Sequence, residues 1–236
     1  MAFETELYDT IQKRVKSGYK AMGYPVYNLS KKDISLLSKV ADKYGFPPFW
    51  GANLMNFESA GTFNPSITNS IGATGIIQFI PSTASDLGVT TDALRKMTFA
   101  QQMAYVDLYL HKYFYGSGAN KGIFNTKTGK VTDKFTQTDL FMIIFYPVAV
   151  GRPDFVFPDS VQRANAGIAK PSDYKNKALA SSTAPFRNVS DYIPKGGVKA
   201  IKYVQRNALP TILISIGVLA LGIGGYILVK KKIIKF

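Results

Sequence analysis

The run Gly45-Phe46-Pro47-Pro48 divides two helical patterns and fixes where the second must begin. Proline lacks an amide hydrogen and pushes the residue before it out of helical geometry, yet it is well tolerated in the first turn of a new helix. On the near side, Ser30 is placed to cap a helix running to Tyr44, with Asp33 at the capping-box position and Ile34, Leu37 and Val40 or Ala41 at helical spacing. On the far side, a helix starting near Pro48 or Phe49 carries Phe49, Trp50, Leu54 and Phe57 and ends on Glu58. That puts a lone carboxyl in the final turn of an apolar helix. Partial desolvation raises the pKa of such a group and retains the proton a general acid must donate. Taken alone, Glu58 could equally end a helix in solvent, as most glutamates do.

The rest of the chain reads as further helices joined by loops. Residues 5–16 form a short helix, and Gly18, Gly23 and Pro25 mark the loop after it. A loop-rich stretch follows Glu58, through Asn64-Pro65, Asn69-Ser70 and Gly72 to Gly75, long enough to line one side of a cleft. A short helix follows Pro81, and Thr98 opens a longer one with Met103, Val106, Leu110 and Phe114 on one face; Tyr105, Tyr109, Tyr113 and Tyr115 along it read as packing. Residues 116–129 read as a surface excursion. An apolar helix from Thr138 through Leu140, Phe141, Ile144 and Phe145 is stopped by Pro147. Residues 170–200, poor in large aliphatic side chains and interrupted by prolines and glycines, read as a linker.

Two motifs stand close together. Glu58-Ser59-Ala60-Gly61-Thr62-Phe63-Asn64-Pro65 is followed by Gly72-Ala73-Thr74-Gly75-Ile76-Ile77-Gln78-Phe79-Ile80-Pro81. They resemble the first and second motifs of the Slt-type lytic transglycosylases of the lysozyme-like superfamily, Glu-Ser-x-x-x-Phe-x-Pro and Gly-x-x-Gly-Leu-Met-Gln-x-x-Pro. Ile76-Ile77 replaces the usual Leu-Met, an apolar exchange that forgoes the flexible thioether. The resemblance extends over roughly residues 30–165. It implies Glu58 as the catalytic acid–base, with Ser59, Gln78 and Tyr146 as substrate-binding residues. Gln78 has a donor and an acceptor suited to a sugar N-acetyl or hydroxyl group. Tyr146, in Phe145-Tyr146-Pro147-Val148-Ala149-Val150-Gly151, stands for the tyrosine of the family's Ala-Tyr-Asn-x-Gly motif, with proline in place of asparagine. The implied reaction closes the MurNAc C6 hydroxyl onto its own anomeric carbon, yielding a 1,6-anhydro sugar without water or a second carboxylate. Asp86, Asp92 and Asp107 are the nearest other acids and lie at helix caps or on exposed faces. His111 is the sole histidine and cysteine is absent, which gives no transition-metal set; no metal and no cofactor are expected.

Of the 236 residues, 46% are hydrophobic, and much of the excess lies in residues 208–229, which carry no charge. Their length matches the hydrocarbon core of a bilayer, so they read as a transmembrane helix. Lys195, Lys199, Lys202 and Arg206 precede this run, and Lys230, Lys231, Lys232 and Lys235 follow more tightly, which favours the tail on the cytoplasmic side. The first residues begin acidic and show no cleavable export signal. Tail-anchored insertion or delivery by a virus particle are then the routes to a cell wall. The net charge of +14 is spread along the chain and densest beside the apolar run, which points to anionic lipid and wall carboxylates rather than specific nucleic acid.

The expectation is a mainly α chain: an N-terminal helix and loop (residues 1–29), a lysozyme-like α+β transglycosylase domain with a small hairpin element (30–169), a linker (170–207), a transmembrane helix (208–229) and a basic tail (230–236). The order is similar to virion-associated membrane transglycosylases of lipid-containing phages. Expected partners are peptidoglycan glycan strands, a lipid bilayer through residues 208–229, and virion shell proteins; the expected location is a virion internal membrane or a host inner membrane with the domain facing the wall. Two alternatives stay open: a goose-type lysozyme acting by hydrolysis, and a catalytically inactive membrane-anchored structural virion protein.

Overall fold

The computed structural model describes residues 2–181 and 184–186. Helix α1 (Ala2–Lys16) leads into a short antiparallel ribbon, β1 (Lys20–Ala21) and β2 (Tyr24–Pro25), with Ala21 opposite Tyr24. Helix α2 (Lys31–Tyr44) starts at Ser30, whose hydroxyl accepts the Asp33 amide while the Asp33 side chain accepts the Ser30 amide, and it stops at Gly45, left-handed at φ 83°. Pro48 occupies the first position of α3 (Pro48–Glu58). Two short helices follow, α4 (Pro81–Asp86) and α5 (Thr91–Arg95). Helix α6 (Phe99–Tyr113) is capped by Thr98 and Gln101. A second ribbon, β3 (Phe124–Asn125) with β4 (Lys130–Val131), precedes α7 (Gln137–Phe145), which Thr136 and Asp139 cap reciprocally. Last come α8 (Asp159–Ala164) and α9 (Pro171–Ala180).

Helix α3 is the axis of the molecule. Every residue from Phe49 to Glu58 is buried, and α1, α2, α7 and α9 pack around it. A helix apolar on all sides can be stable only inside such a ring. Its polar residues find partners across the chain: the Asn53 side-chain amide donates to the Phe186 carbonyl (3.1 Å) and accepts the Phe186 N–H (3.0 Å). At the α2–α6 end, Phe114 packs against Tyr44, Phe124 and Phe135 with ring centroids 4.8–5.6 Å apart. The tyrosines of α6 and of the turn after it divide between packing and surface. Tyr109 donates to the Ile143 carbonyl, and Tyr113 is buried, whereas Tyr115 is exposed and stacks on His111.

The proportions, mainly helix with two small sheets, fit the α-rich lysozyme-like fold. Two expectations differ. A transmembrane helix as part of the fold is corrected: among the described residues no helix is long and apolar enough to cross a membrane. The longest have 15 residues, a length of about 22 Å against a hydrocarbon core of about 30 Å. The run read as that helix, residues 208–229, lies outside the described residues, as do most of the expected linker and the basic tail. The start of the linker is also different, because α9 forms there and buries Tyr174 and Ala178, and Phe186 is buried beyond it. Within residues 30–169 the small hairpin element is the β3–β4 ribbon, and the loop at residues 67–79 carries only single bridges from Thr74 to Thr68 and Phe79.

Phe186 packs on Phe3 and Phe49 and is 1% exposed. Phe186→Ala is expected to destabilise the protein by roughly 3–5 kcal/mol, the cost of emptying a core aromatic site. The check is a urea unfolding curve; a residue in a solvated linker would leave the midpoint unchanged.

Candidate active site

Glu58 closes α3 and is 6% exposed. Burial raises its carboxyl pKa from 4.5 to about 7, and a hydrogen bond from Tyr174 works in the opposite direction. That bond, from the Tyr174 hydroxyl to Glu58 Oε1 at 2.5 Å, is the one the carboxyl receives among the described residues. A phenol donating to a carboxylate favours the charged form, so the two effects together hold the acid close to neutrality instead of far above it. Tyr174 is set by three rings: it stacks on Phe145 at 4.1 Å and meets Phe57 and Phe141 edge-on.

The chain after Glu58 turns sharply. Ala60 and Phe63 adopt left-handed backbone (φ 49° and 50°), with Gly61 between them at φ 81°. For residues bearing a Cβ this costs about 1 kcal/mol each. The turn is held by its own polar groups: Ser59 Oγ donates to the Met55 carbonyl (2.6 Å) and accepts the Phe63 N–H (2.9 Å), and Thr62 Oγ1 donates to the Ser59 carbonyl. Ser59 is fully buried and its single hydroxyl hydrogen goes to Met55, so the structure directs it to the backbone and away from the Glu58 carboxyl.

The second motif folds as a chain of tight turns. Asn69 Oδ1 accepts the amides of Ile71 and Ala73, and Gly75 at φ 88° donates to the Ile67 carbonyl. Gln78 also sits at positive φ, 50°, and its amide nitrogen donates to the carbonyls of Gly75 (3.0 Å) and Ile67 (3.3 Å). Those bonds pin the side chain by its nitrogen and leave Oε1 as its remaining polar end. A residue that sequence reasoning missed fastens this loop. Gln102 of α6, fully buried, accepts the Ile76 N–H and donates to the carbonyls of Pro65 and Leu94. A Cβ on Gly75 would lie 2.3 Å from Gln102 Oε1, so only glycine fits there. Ile76 and Ile77 are buried, Ile77 facing Leu54, Met55 and Met103 across an apolar cavity. The Ile-Ile pair therefore keeps the packing role of that position.

Tyr146 ends α7, and its ring packs against Phe155 (5.6 Å) and Phe157 (5.2 Å), where burial raises the phenol pKa. The loop beyond it is fixed by Asp139, which accepts the Gly151 N–H at 2.7 Å. The tyrosine that reaches Glu58 is Tyr174, from the stretch read as linker. Its helix start was signalled by Pro171 with Asp173 two residues on, whose carboxylate accepts the amides of Ala169 and Lys170. Of the other acids, Asp92 pairs with Arg95, and Asp107 pairs with Lys43 and accepts the Tyr44 hydroxyl. No group of three or more His, Cys, Asp or Glu residues among those described could hold a metal ion.

Residues 35–108, just under a third of the chain, match the family model described as the transglycosylase SLT domain. The match supports an Slt-type lytic transglycosylase and, in general terms, an enzyme acting on peptidoglycan. It spans Glu58, Ser59, Gln78 and Gln102 and stops before Tyr146 and Tyr174. No curated protein and no solved structure matches the chain.

The raised carboxyl gives a signed dependence of stability on pH. Below pH 4.5 both folded and unfolded chains carry the Glu58 proton; between 4.5 and about 7 only the folded chain keeps it, so stability falls across that window and levels off above it. The displacement corresponds to about 3 kcal/mol. Glu58→Gln removes this loss, and its stability advantage over the parent protein is expected to grow by that amount between pH 4 and pH 8 in urea titrations. Tyr174→Phe removes the bond that favours the carboxylate, so the Glu58 carboxyl should titrate still higher in a carbon-13 NMR experiment.

Proposed function

We propose that the protein is a peptidoglycan lytic transglycosylase that cleaves the MurNAc–GlcNAc β-1,4 bond and forms 1,6-anhydro-MurNAc, with Glu58 as its acid and base. The observation that carries this reading is one buried carboxyl, poised near pH 7 and bonded to a phenol, at the end of the helix that the SLT match covers. A group with that pKa is substantially protonated at neutral pH and also an adequate base once the proton has left. Glu58 donates its proton to the bridging oxygen as the C1–O bond breaks, releasing the GlcNAc hydroxyl. The carboxylate then takes the proton of the MurNAc C6 hydroxyl while that oxygen bonds to C1. The proton count closes with no water consumed, and the acid is restored.

Tyr174 steadies the anion between the two steps, since its hydroxyl donates to Oε1 without competing for the other oxygen. Gln78, pinned through its nitrogen, presents Oε1 to a sugar amide or hydroxyl donor. The sequence resemblance supports Tyr146, at the C-cap of α7, as a substrate-binding residue, and Ser59 contributes by fixing the turn behind the acid. The sequence resemblance supports local wall digestion during phage entry as the setting.

Purified protein should release anhydro-muropeptides from cell walls, read by mass spectrometry, and Glu58→Gln should lower that release by a factor of about 10² to 10⁴. Products with reducing ends would replace transglycosylation by hydrolysis, and equal activity in both proteins would remove Glu58 from the mechanism. The first step needs the protonated acid, so the rate is expected to decline about tenfold per pH unit above pH 7.

A further inference from the structure

Residues preceding the family match hold the backbone behind the acid at three consecutive carbonyls. The Tyr19 hydroxyl donates to the Ala60 carbonyl at 3.0 Å, Arg14 Nη1 to the Gly61 carbonyl at 2.8 Å, and the Tyr27 amide to the Thr62 carbonyl at 2.8 Å. Arg14 Nη1 also donates to Asn56 Oδ1 at 2.8 Å, two residues before Glu58 on α3. Asn64 returns a bond in the other direction, donating from its side chain to the Pro25 carbonyl. Leu7 and Ile11 of α1 are fully buried, so the segment is seated in the core and its polar groups arrive with little freedom.

The three carbonyls belong to the turn with two left-handed non-glycine residues, Ala60 and Phe63. Backbone of this kind persists only where its surroundings over-determine it. The same turn closes the last turn of α3, because Gly61 N–H donates to the Asn56 carbonyl and Ser59 N–H to Met55. Glu58 lies between those anchors. Releasing the turn lets the end of α3 fray, which admits water to the carboxyl and moves it off its position.

We propose that Arg14 is a positioning residue for Glu58 and that residues 14–27 are a clasp for the acid-bearing turn, a role that rests on the assignment of Glu58 as the acid. Arg14 touches no reacting atom. It bridges the helix before the acid and the turn after it with one guanidinium nitrogen, and although burial lowers its pKa to about 10 it stays cationic at neutral pH.

The test compares the full chain with Arg14→Ala, Arg14→Lys and Arg14→Ala/Ala60→Gly. Three quantities are read: kcat and KM for anhydro-muropeptide release, the pH at which activity declines, and amide hydrogen exchange at Gly61, Thr62 and Phe63. Arg14→Ala should lower kcat about tenfold or more with KM within about twofold. Its activity limb should move to lower pH as the carboxyl becomes wetter, and the three amides should exchange faster. Ala60→Gly relieves the left-handed strain and should restore part of kcat in the Arg14→Ala background, while Arg14→Lys should fall between parent and Ala. Unchanged kcat, limb and exchange in folded Arg14→Ala would overturn the proposal, as would a loss of kcat with limb and exchange both unmoved. If Arg14→Ala does not fold, Tyr19→Phe, which removes one hydroxyl, is measured in the same way. Exchange at the turn reports on the clasp without reference to catalysis, and Glu58→Gln activity reports on the acid without reference to the clasp, so the two failures are distinct.

Discussion

An ionisable group at the end of a completely buried helix constrains everything placed near it. Helix α3 is surrounded by other helices, and its last residue is a glutamate whose carboxyl receives, among the described residues, one hydrogen bond, from a phenol. Water would favour the charged form and the interior disfavours it, and the structure holds the carboxyl between these limits with one hydroxyl and a small residual exposure. The surrounding helices are arranged to make that possible. Helix α7 supplies Phe141 and Phe145 as a wall, and α9 sets Tyr174 against it.

The local parts of this arrangement were legible in the sequence. Ser30 with Asp33, Gly45, Pro48 and the apolar run to Glu58 each act within a few residues, and the helices α2 and α3 begin and end where those residues require. The motif around Gln78 was readable by resemblance, and the burial of Glu58 by the company it keeps in its own helix. What stayed hidden are contacts between distant residues. Tyr174 lies 116 residues from Glu58, Gln102 fastens Ile76 across 26, and Arg14 reaches Gly61 across 47. No periodicity announces such pairs, and each donor occurs in a segment whose local pattern is ordinary. The stretch beginning at residue 170 was misjudged for the same reason: it has few large aliphatic side chains, yet Tyr174 and Phe186 bury aromatic surface that composition alone undervalues.

Strained backbone gathers where the acid and the amide are presented. Ala60, Phe63 and Gln78 are three of the five non-glycine residues at positive φ among those described; the Tyr19 hydroxyl holds Ala60 from outside the loop, the Ser59 hydroxyl holds Phe63 from within it, and Gln78 is held by its own amide on the Gly75 carbonyl. Rigid presentation suits the proposed reaction, in which one carboxyl addresses two different oxygens in turn and a small displacement would spoil one of the two transfers.

The pairing of Asn53 with the Phe186 peptide has a mechanical meaning. Two hydrogen bonds join the middle of α3 to the last described residues, about one and a half helical turns before Glu58. A pulling force applied at Phe186 would load those two bonds and, through them, the helix that ends in Glu58. Because the Phe186 ring also rests on Phe3 and Phe49, that load would be shared at once between α1 and α3.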